Sequence, residues 1–250
     1  MPNYQSYIIC TTPRSGSTLL CKMLAATDCA GVPESHFHVP SVERWLAAYR
    51  LDGSAFASRR DALAAIFQAA IVRGKGTTNL FGLRMQRGSF EYFARQLEAL
   101  VPGGMSDVER IEAVFGRTLF IHLSRPDRLD QAISRLRAEQ TGLWHLRSDG
   151  TELERRAPHK AERFDAPAIA LQMKELAELD DAWIRWFDQE AIEPLKISYP
   201  ELSNDPQTEL SRVLTALGLN PVLAEGVEVP TAKLADAESL IWRERFLSER

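Results

Sequence analysis

Residues 7–11 (YIICT) form a short apolar run that ends in the turn-forming Thr12-Pro13-Arg14-Ser15-Gly16. Leu19, Leu20, Met23 and Leu24 then follow at helical spacing. A strand that passes through a tight loop straight into a helix starts a chain in which the two elements alternate, and the alternation continues. Helices are expected over 41–49 and 58–72, then a strand over 79–85. Phe90, Phe93, Leu97 and Leu100 mark a helix stopped by Pro102-Gly103-Gly104, and a short helix follows over 108–115. The continuous apolar run 118–124 (TLFIHLS) suits a strand buried on both faces. Leu129, Ala132, Ile133 and Leu136 predict a helix that Gly142 ends. Periodicity is then lost over 143–164, around the turn Ser148-Asp149-Gly150, and the segment reads as a mobile loop or lid. A long helix over 165–191, a strand over 194–199 and helices over 208–217 and 235–247 complete the chain. The expectation is a single α/β domain over residues 1–250, a three-layer sandwich with a mainly parallel central sheet. Ligands in such sheets sit beyond the carboxyl ends of the strands.

Composition narrows the function classes. The 250 residues are 45% hydrophobic with a net charge of −4, which excludes a basic nucleic-acid coat and a polybasic membrane anchor. No apolar run approaches the roughly 18 residues that span a bilayer. The N-terminal Met1-Pro2-Asn3-Tyr4-Gln5 lacks a signal-peptide pattern. Cys10, Cys21 and Cys29 are too few for a paired framework and read as reduced, buried residues of a cytoplasmic protein. No Cys or Asp partner completes a metal site with His36-x-His38, so no metal is expected.

The loop Thr11–Thr18 is the strongest functional signal. A strand-to-helix junction offers backbone N–H groups and the positive end of a helix dipole to an anion. Gly16 permits close approach, Ser15, Ser17 and Thr18 add hydroxyls, and Arg14 adds a guanidinium fork. Against the nucleotide-triphosphate loop G-x-x-x-x-G-K-[ST], the first glycine and the lysine are both missing. That lysine contacts the β- and γ-phosphates, and no strand ends in a Mg²⁺-binding Asp, so an NTPase or nucleotide kinase is disfavoured. Gly74-Lys75-Gly76-Thr77-Thr78 has a phosphate-loop composition but precedes a strand, and reads as a turn.

Pro13-Arg14-Ser15-Gly16-Ser17-Thr18-Leu19-Leu20 resembles the 5′-phosphosulfate loop of sulfotransferases that use 3′-phosphoadenosine 5′-phosphosulfate (PAPS). With Gly31-Val32-Pro33 and His122-Leu123-Ser124-Arg125-Pro126-Asp127, the chain is similar to the bacterial trehalose 2-sulfotransferase-like family from about residue 6 to about 217. The resemblance implies a P-loop-NTPase-like sulfotransferase fold. Arg14, Ser15, Gly16, Ser17 and Thr18 would bind the 5′-phosphosulfate, and Arg125 with Ser134 the 3′-phosphate. Ser134 lies off the apolar stripe of its helix, free to face a ligand. The resemblance also implies a homodimer, and an acceptor that is a small carbohydrate or glycolipid hydroxyl. Neither nucleic acid nor a membrane span enters.

Two positions depart from the trehalose enzymes: Pro13 replaces a polar residue, and Ser35 stands where those enzymes carry a glutamate. Glu34 and His36 flank it, and on an extended chain both point away from Ser35. Either could take the acceptor's proton, Glu34 being preferred, with Arg14 stabilising the transferring oxygens. If neither does, the chain is a non-catalytic binder of PAPS or its product. Arg84 and Tyr199 at strand ends, and the segment Trp242–Arg245, are secondary candidates for the site. His122, and Trp183, Trp186 and Phe187, read as packing residues.

Overall fold

The computed structural model describes residues 4–232 and 236–249. Met1, Pro2, Asn3 and Arg250 of the expected domain lie outside the described residues, as does Ala235, where the last helix was expected to begin. The first strand, β1 (Ser6–Thr11), passes through the loop into α1 (Ser17–Ala26). Helices α2 (Val42–Tyr49) and α3 (Arg59–Lys75) lead to β2 (Phe81–Gln86), and α4 (Arg87–Leu100) and α5 (Asp107–Phe115) lead to β3 (Thr118–Ser124). Then come α6 (Arg128–Thr141), a hairpin of β4 (Leu143–Arg147) and β5 (Glu152–Arg155), and α7 (Ala166–Gln189). The chain continues through β6 (Leu195–Ser198), α8 (Tyr199–Asn204), α9 (Pro206–Leu217), β7 (Thr231–Ala232) and α10 (Ala237–Ser248).

The central sheet is parallel throughout, in the order β2-β1-β3-β6. Every residue of β1 is buried, because it lies between β2 and β3 and under helices on both faces. The alternation of side chains divides the core in two. Ile8 and Cys10, with Phe81, Leu83 and Met85 of β2, pack against α2, α3, α4, α5 and α7. Tyr7 and Ile9, with Leu119, Ile121 and Leu123 of β3, pack against α1, α8 and α9. The result is the three-layer α/β sandwich that the alternation implies. Two polar residues inside β1 and β3, Ser6 and Thr118, satisfy each other across the ladder at 2.7 Å.

Several expectations change in detail. The segment over 143–164 is not irregular along its first half: β4 and β5 pair antiparallel, and β7 joins β4 on its other side. Gly74 and Lys75 belong to the end of α3 rather than to a turn, and α8 was not read from the sequence at all. Cys10 and Cys21 are buried as expected, but Cys29 is only half-buried, beside the Thr27 hydroxyl. Among the described residues, no helix is long and apolar enough to cross a membrane.

Trp183, Trp186 and Phe187 belong to the core beneath the sheet. Trp183 is fully buried, and its indole Nε1 donates to the Thr11 carbonyl at 2.9 Å, where β1 gives way to the loop. His122 likewise bonds to a core partner, Asp180, at 3.0 Å. Trp183→Phe retains most of the buried ring but strands the Thr11 carbonyl. It should cost about 1–3 kcal/mol in urea denaturation, the penalty of one unsatisfied buried acceptor.

Candidate active site

The loop after β1 is bent by two left-handed residues, Arg14 at φ 63° and Gly16 at φ 87°. A Cβ at Gly16 would stand 2.7 Å from the Tyr199 ring, so only glycine fits beneath α8. The loop is braced from three sides. Gln131 of α6 donates to Thr12 Oγ1 at 3.0 Å and to the Pro13 carbonyl at 2.7 Å. Trp183 holds Thr11 from below. Ser15 is fully buried, touches Thr11 Oγ1 and donates to the Thr12 carbonyl at 2.9 Å. Its hydroxyl therefore shapes the loop and is not turned toward a ligand. The N-terminus of α1 has no side-chain cap and no acidic residue in its first turn, and α4, starting from the end of β2, also lacks a side-chain cap. Both helix ends border the cleft.

Three arginines converge on this edge. Arg14 Nε donates to Ser134 Oγ at 2.9 Å, and its Nη1 reaches the Trp144 carbonyl. Arg125 comes from the end of β3, donates to the Arg14 carbonyl at 3.3 Å and lies 4.4 Å over the Tyr199 ring. Arg84 of β2 donates to Ser35 Oγ at 2.7 Å and to Thr18 Oγ1 at 2.8 Å. Among the described residues, none of the three has a carboxylate within ion-pair distance, although Arg125 is only 9% exposed. Burial, and then the charge of Arg125, push the Arg14 pKa down to about 10. Burial lowers that of Arg125 as well. The neighbouring acids are engaged elsewhere: Arg243 of α10 takes Asp127 at 2.9 Å and Asp130 at 2.6 Å.

Two cavities meet at the loop. The inner one, of about 290 Å³, is lined by Arg14, Arg125, Ser134 and Tyr199, with Leu19, Ile133 and Leu240 as its apolar wall. The outer one, of about 440 Å³, is bordered by Ser17, Ser35, His38 and Arg84, and by Trp144, Glu154 and Arg156 of and beside the hairpin. The structure thus brings together Arg14, Gly16, Ser17, Thr18, Arg125 and Ser134, together with Arg84 and Tyr199. It does not bring Glu34 and His36 to them. These two line a neighbouring hollow with Tyr49 and Arg73, which shares Ser35 and Arg84 with the outer cavity. Glu34 bridges to Leu83 of β2, so Ser35 takes the opposite side of the chain, and a turn at His36 and Phe37, closed by His38 N–H on the Ser35 carbonyl at 3.3 Å, carries His36 to the hollow beside Tyr49. Glu34 is half-exposed and pairs with Arg73 at 3.3 Å. His36 is buried, stacks 5.7 Å from the Phe81 ring and bonds Tyr49 at 3.0 Å. His38, in contrast, borders the outer cavity, so the two histidines do not converge on one ion, and no cluster of three potential metal ligands occurs among the described residues.

In the final segment, Trp242 is a core residue of the α6–α7–α10 cluster, with its indole on Glu238 at 2.7 Å. Ser239 and Leu240 border the inner cavity instead. The sequence reading missed Trp144, His145, Glu154 and Arg156. Asp149-Gly150 between two runs of strand-forming residues is a hairpin signal that could have located them.

The family model for Stf0 sulphotransferases matches residues 6–249. The trehalose 2-sulfotransferase of Mycobacterium tuberculosis is 29% identical to this chain over 97% of its length and 94% of the relative's. That of Mycolicibacterium smegmatis is also 29% identical, over 96% of this chain and 94% of the relative. Among solved structures, a sulfotransferase from Alicyclobacillus acidocaldarius is similar at TM-score 0.45 and 12% identity, covering 97% of this chain and 91% of that one. The sulfotransferase domain of a Synechococcus olefin synthase scores 0.40 at 18% identity, covering 98% and 95%. At these scores the likeness adds nothing to the chain's own topology.

Burial, and then Arg73, push the His36 pKa down to about 4. Above pH 6.5 both folded and unfolded imidazoles are neutral; as pH falls from 6.5 to 4, only the unfolded one takes a proton, and stability is lost. His36→Phe should therefore lose about 3 kcal/mol less stability than the parent between pH 7 and pH 4, measured by urea denaturation at each pH.

Proposed function

Because the chain belongs to the Stf0 sulphotransferase family, we propose that it transfers a sulfuryl group from PAPS to a hydroxyl of a small carbohydrate. The observation that carries this reading is the set of converging arginines, Arg14, Arg84 and Arg125, held without carboxylate partners among the described residues. A buried cation without a counter-charge is costly, and an anionic ligand supplies what the protein withholds. Their arrangement suits an anion with two separated charged groups. Arg14, the amides of the loop and Thr18 would hold the phosphosulfate at the junction of the cavities. Arg125 and Ser134 would take the second phosphate inside, against the apolar wall of Ile133 and Leu240. An adenine nucleotide phosphorylated at both ribose ends has that form. The outer cavity, with the Trp144 ring and several hydrogen-bonding groups on its border, suits a sugar, and the names of the mycobacterial relatives point to the same class.

In this reading the acceptor oxygen attacks sulfur in line while the 5′-phosphate oxygen leaves. Arg14 and the uncapped start of α1 stabilise charge on the transferring oxygens. Assembly as a homodimer belongs to the same reading and rests on the resemblance alone; a cytoplasmic location, read from the cysteines, and a single domain, read from length and the strand–helix alternation, belong to it too. A second reading, a non-catalytic binder of PAPS, is favoured by one observation: Glu34 and His36 lie outside the cleft.

Calorimetric titration without metal tests the donor. Adenosine 3′,5′-bisphosphate should bind, with 5′-AMP and MgATP markedly weaker. Arg125→Ala should weaken the bisphosphate by about 10–100-fold, the worth of a charge-assisted hydrogen-bond pair, while leaving 5′-AMP unchanged. A preference for MgATP would overturn the donor assignment.

A further inference from the structure

Transfer in the cleft needs a group that takes the acceptor's proton, and Glu34 and His36 face another hollow. Among the described residues, four line both the inner and the outer cavity: Arg14, Gly16, Thr18 and His145. The reacting atoms would lie where the cavities meet, and of these four only the imidazole can accept a proton at neutral pH. His145 does not come from the loop; β4 delivers it from the opposite wall.

Its placement is built into the hairpin. His145 faces Glu154 in the β4–β5 ladder, and the register shifts on both sides of that pair. Such irregularities re-aim a side chain out of the regular pleat. As a result, His145 Nε2 stands 3.0 Å from Thr18 Oγ1 and 3.6 Å from Glu154 Oε2. Thr18 Oγ1 already accepts from Arg84 Nη1 at 2.8 Å, so its single hydrogen is available to Nε2. With that hydrogen given to Nε2, the ring hydrogen sits on Nδ1, which is the tautomer that a base acting through Nε2 requires.

Resting on the sulfotransferase reading, we propose that His145 Nε2 is the general base, and that it exchanges Thr18 for the acceptor hydroxyl when Thr18 turns to the anion in the loop. The acceptor O–H bond breaks and its proton passes to Nε2 as the acceptor oxygen bonds to sulfur. The bond from sulfur to the 5′-phosphate oxygen breaks, and its electron pair leaves with the phosphate. Glu154 then balances the charge of the imidazolium. Before ligand binds, burial holds the His145 pKa down near about 4, with Arg14, Arg84 and Arg156 acting the same way and Glu154 opposing them. The ring is thus neutral at pH 7, the form a base requires, and an anion on Arg14 raises its basicity. His38 borders only the outer cavity and is exposed to solvent, away from the junction.

The test uses PAPS with trehalose and glucose as acceptors, and sulfate release to water where neither sugar is taken. His145→Ala and His145→Gln should lower turnover about 10²–10⁴-fold, with the bisphosphate affinity of both variants held within about threefold. Added imidazole should restore part of the His145→Ala activity. Nitrogen-15 NMR of the ring at pH 7 should show a neutral imidazole protonated at Nδ1. Undiminished turnover in the His145 variants, or an imidazolium at pH 7, overturns this assignment and leaves the sulfotransferase reading standing. Wild-type protein that binds the bisphosphate yet transfers sulfate to neither sugar nor water overturns the assignment in favour of the binder. Failure to bind the bisphosphate removes the underlying reading, and this one with it.

Discussion

The cleft is organised by arginines that, among the described residues, no carboxylate pairs with directly. Burial, and then the guanidinium of Arg125, disfavour the charge of Arg14, and burial disfavours that of Arg125. Carboxylates are not scarce nearby; they are drawn off. Arg243 takes Asp127 and Asp130, Arg128 and His122 share Asp180, and Arg135 takes Glu139. Among the described residues, eight α-helices open on a Ser or Asp side-chain cap, whereas α1 and α4, whose first turns border the outer cavity, start without one.

Such a concentration of like charge holds its shape only if the backbone beneath it is fixed. The Thr11–Gly16 loop is tied to α6 through Gln131, to α7 through Trp183 and to itself through Ser15. Donors held in place before a ligand arrives need no reorganisation at the moment of reaction. The hairpin on the opposite wall is held differently, by pairing with the two-residue strand β7 and by contacts with α6. One wall is therefore anchored in the central sheet, and the other is a small antiparallel sheet set against it.

How much of this could be read in advance differs from residue to residue. The strands and most helices follow from periodicity, because a parallel sheet buried on both faces writes continuous apolar runs into the chain. Arg14, Gly16, Thr18, Arg125 and Ser134 were singled out from loop position and resemblance, and they line one cavity. Ser15 was singled out with them, yet burial commits its hydroxyl to the loop. The hairpin was missed because LWHLR and ELER carry mixed charge and no clean alternation, and bulges break what alternation there is. Spacing alone showed that Ser35 opposes Glu34 and His36. It did not show which side meets the cleft, since that depends on pairing with β2, a strand more than forty residues away.

By itself, then, the sequence determined the α/β alternation, the strand–loop–helix junction with its glycine and hydroxyls, and the absence of a triphosphate lysine. These are local properties: side-chain period, turn chemistry and helix polarity act over a few residues. The tertiary structure alone decided that Arg84 meets Thr18, that Arg243 pairs with Asp127 and Asp130, and that His145 stands opposite the loop. Each of those contacts joins residues 66 to 127 positions apart, through strand register and helix packing that no local pattern encodes.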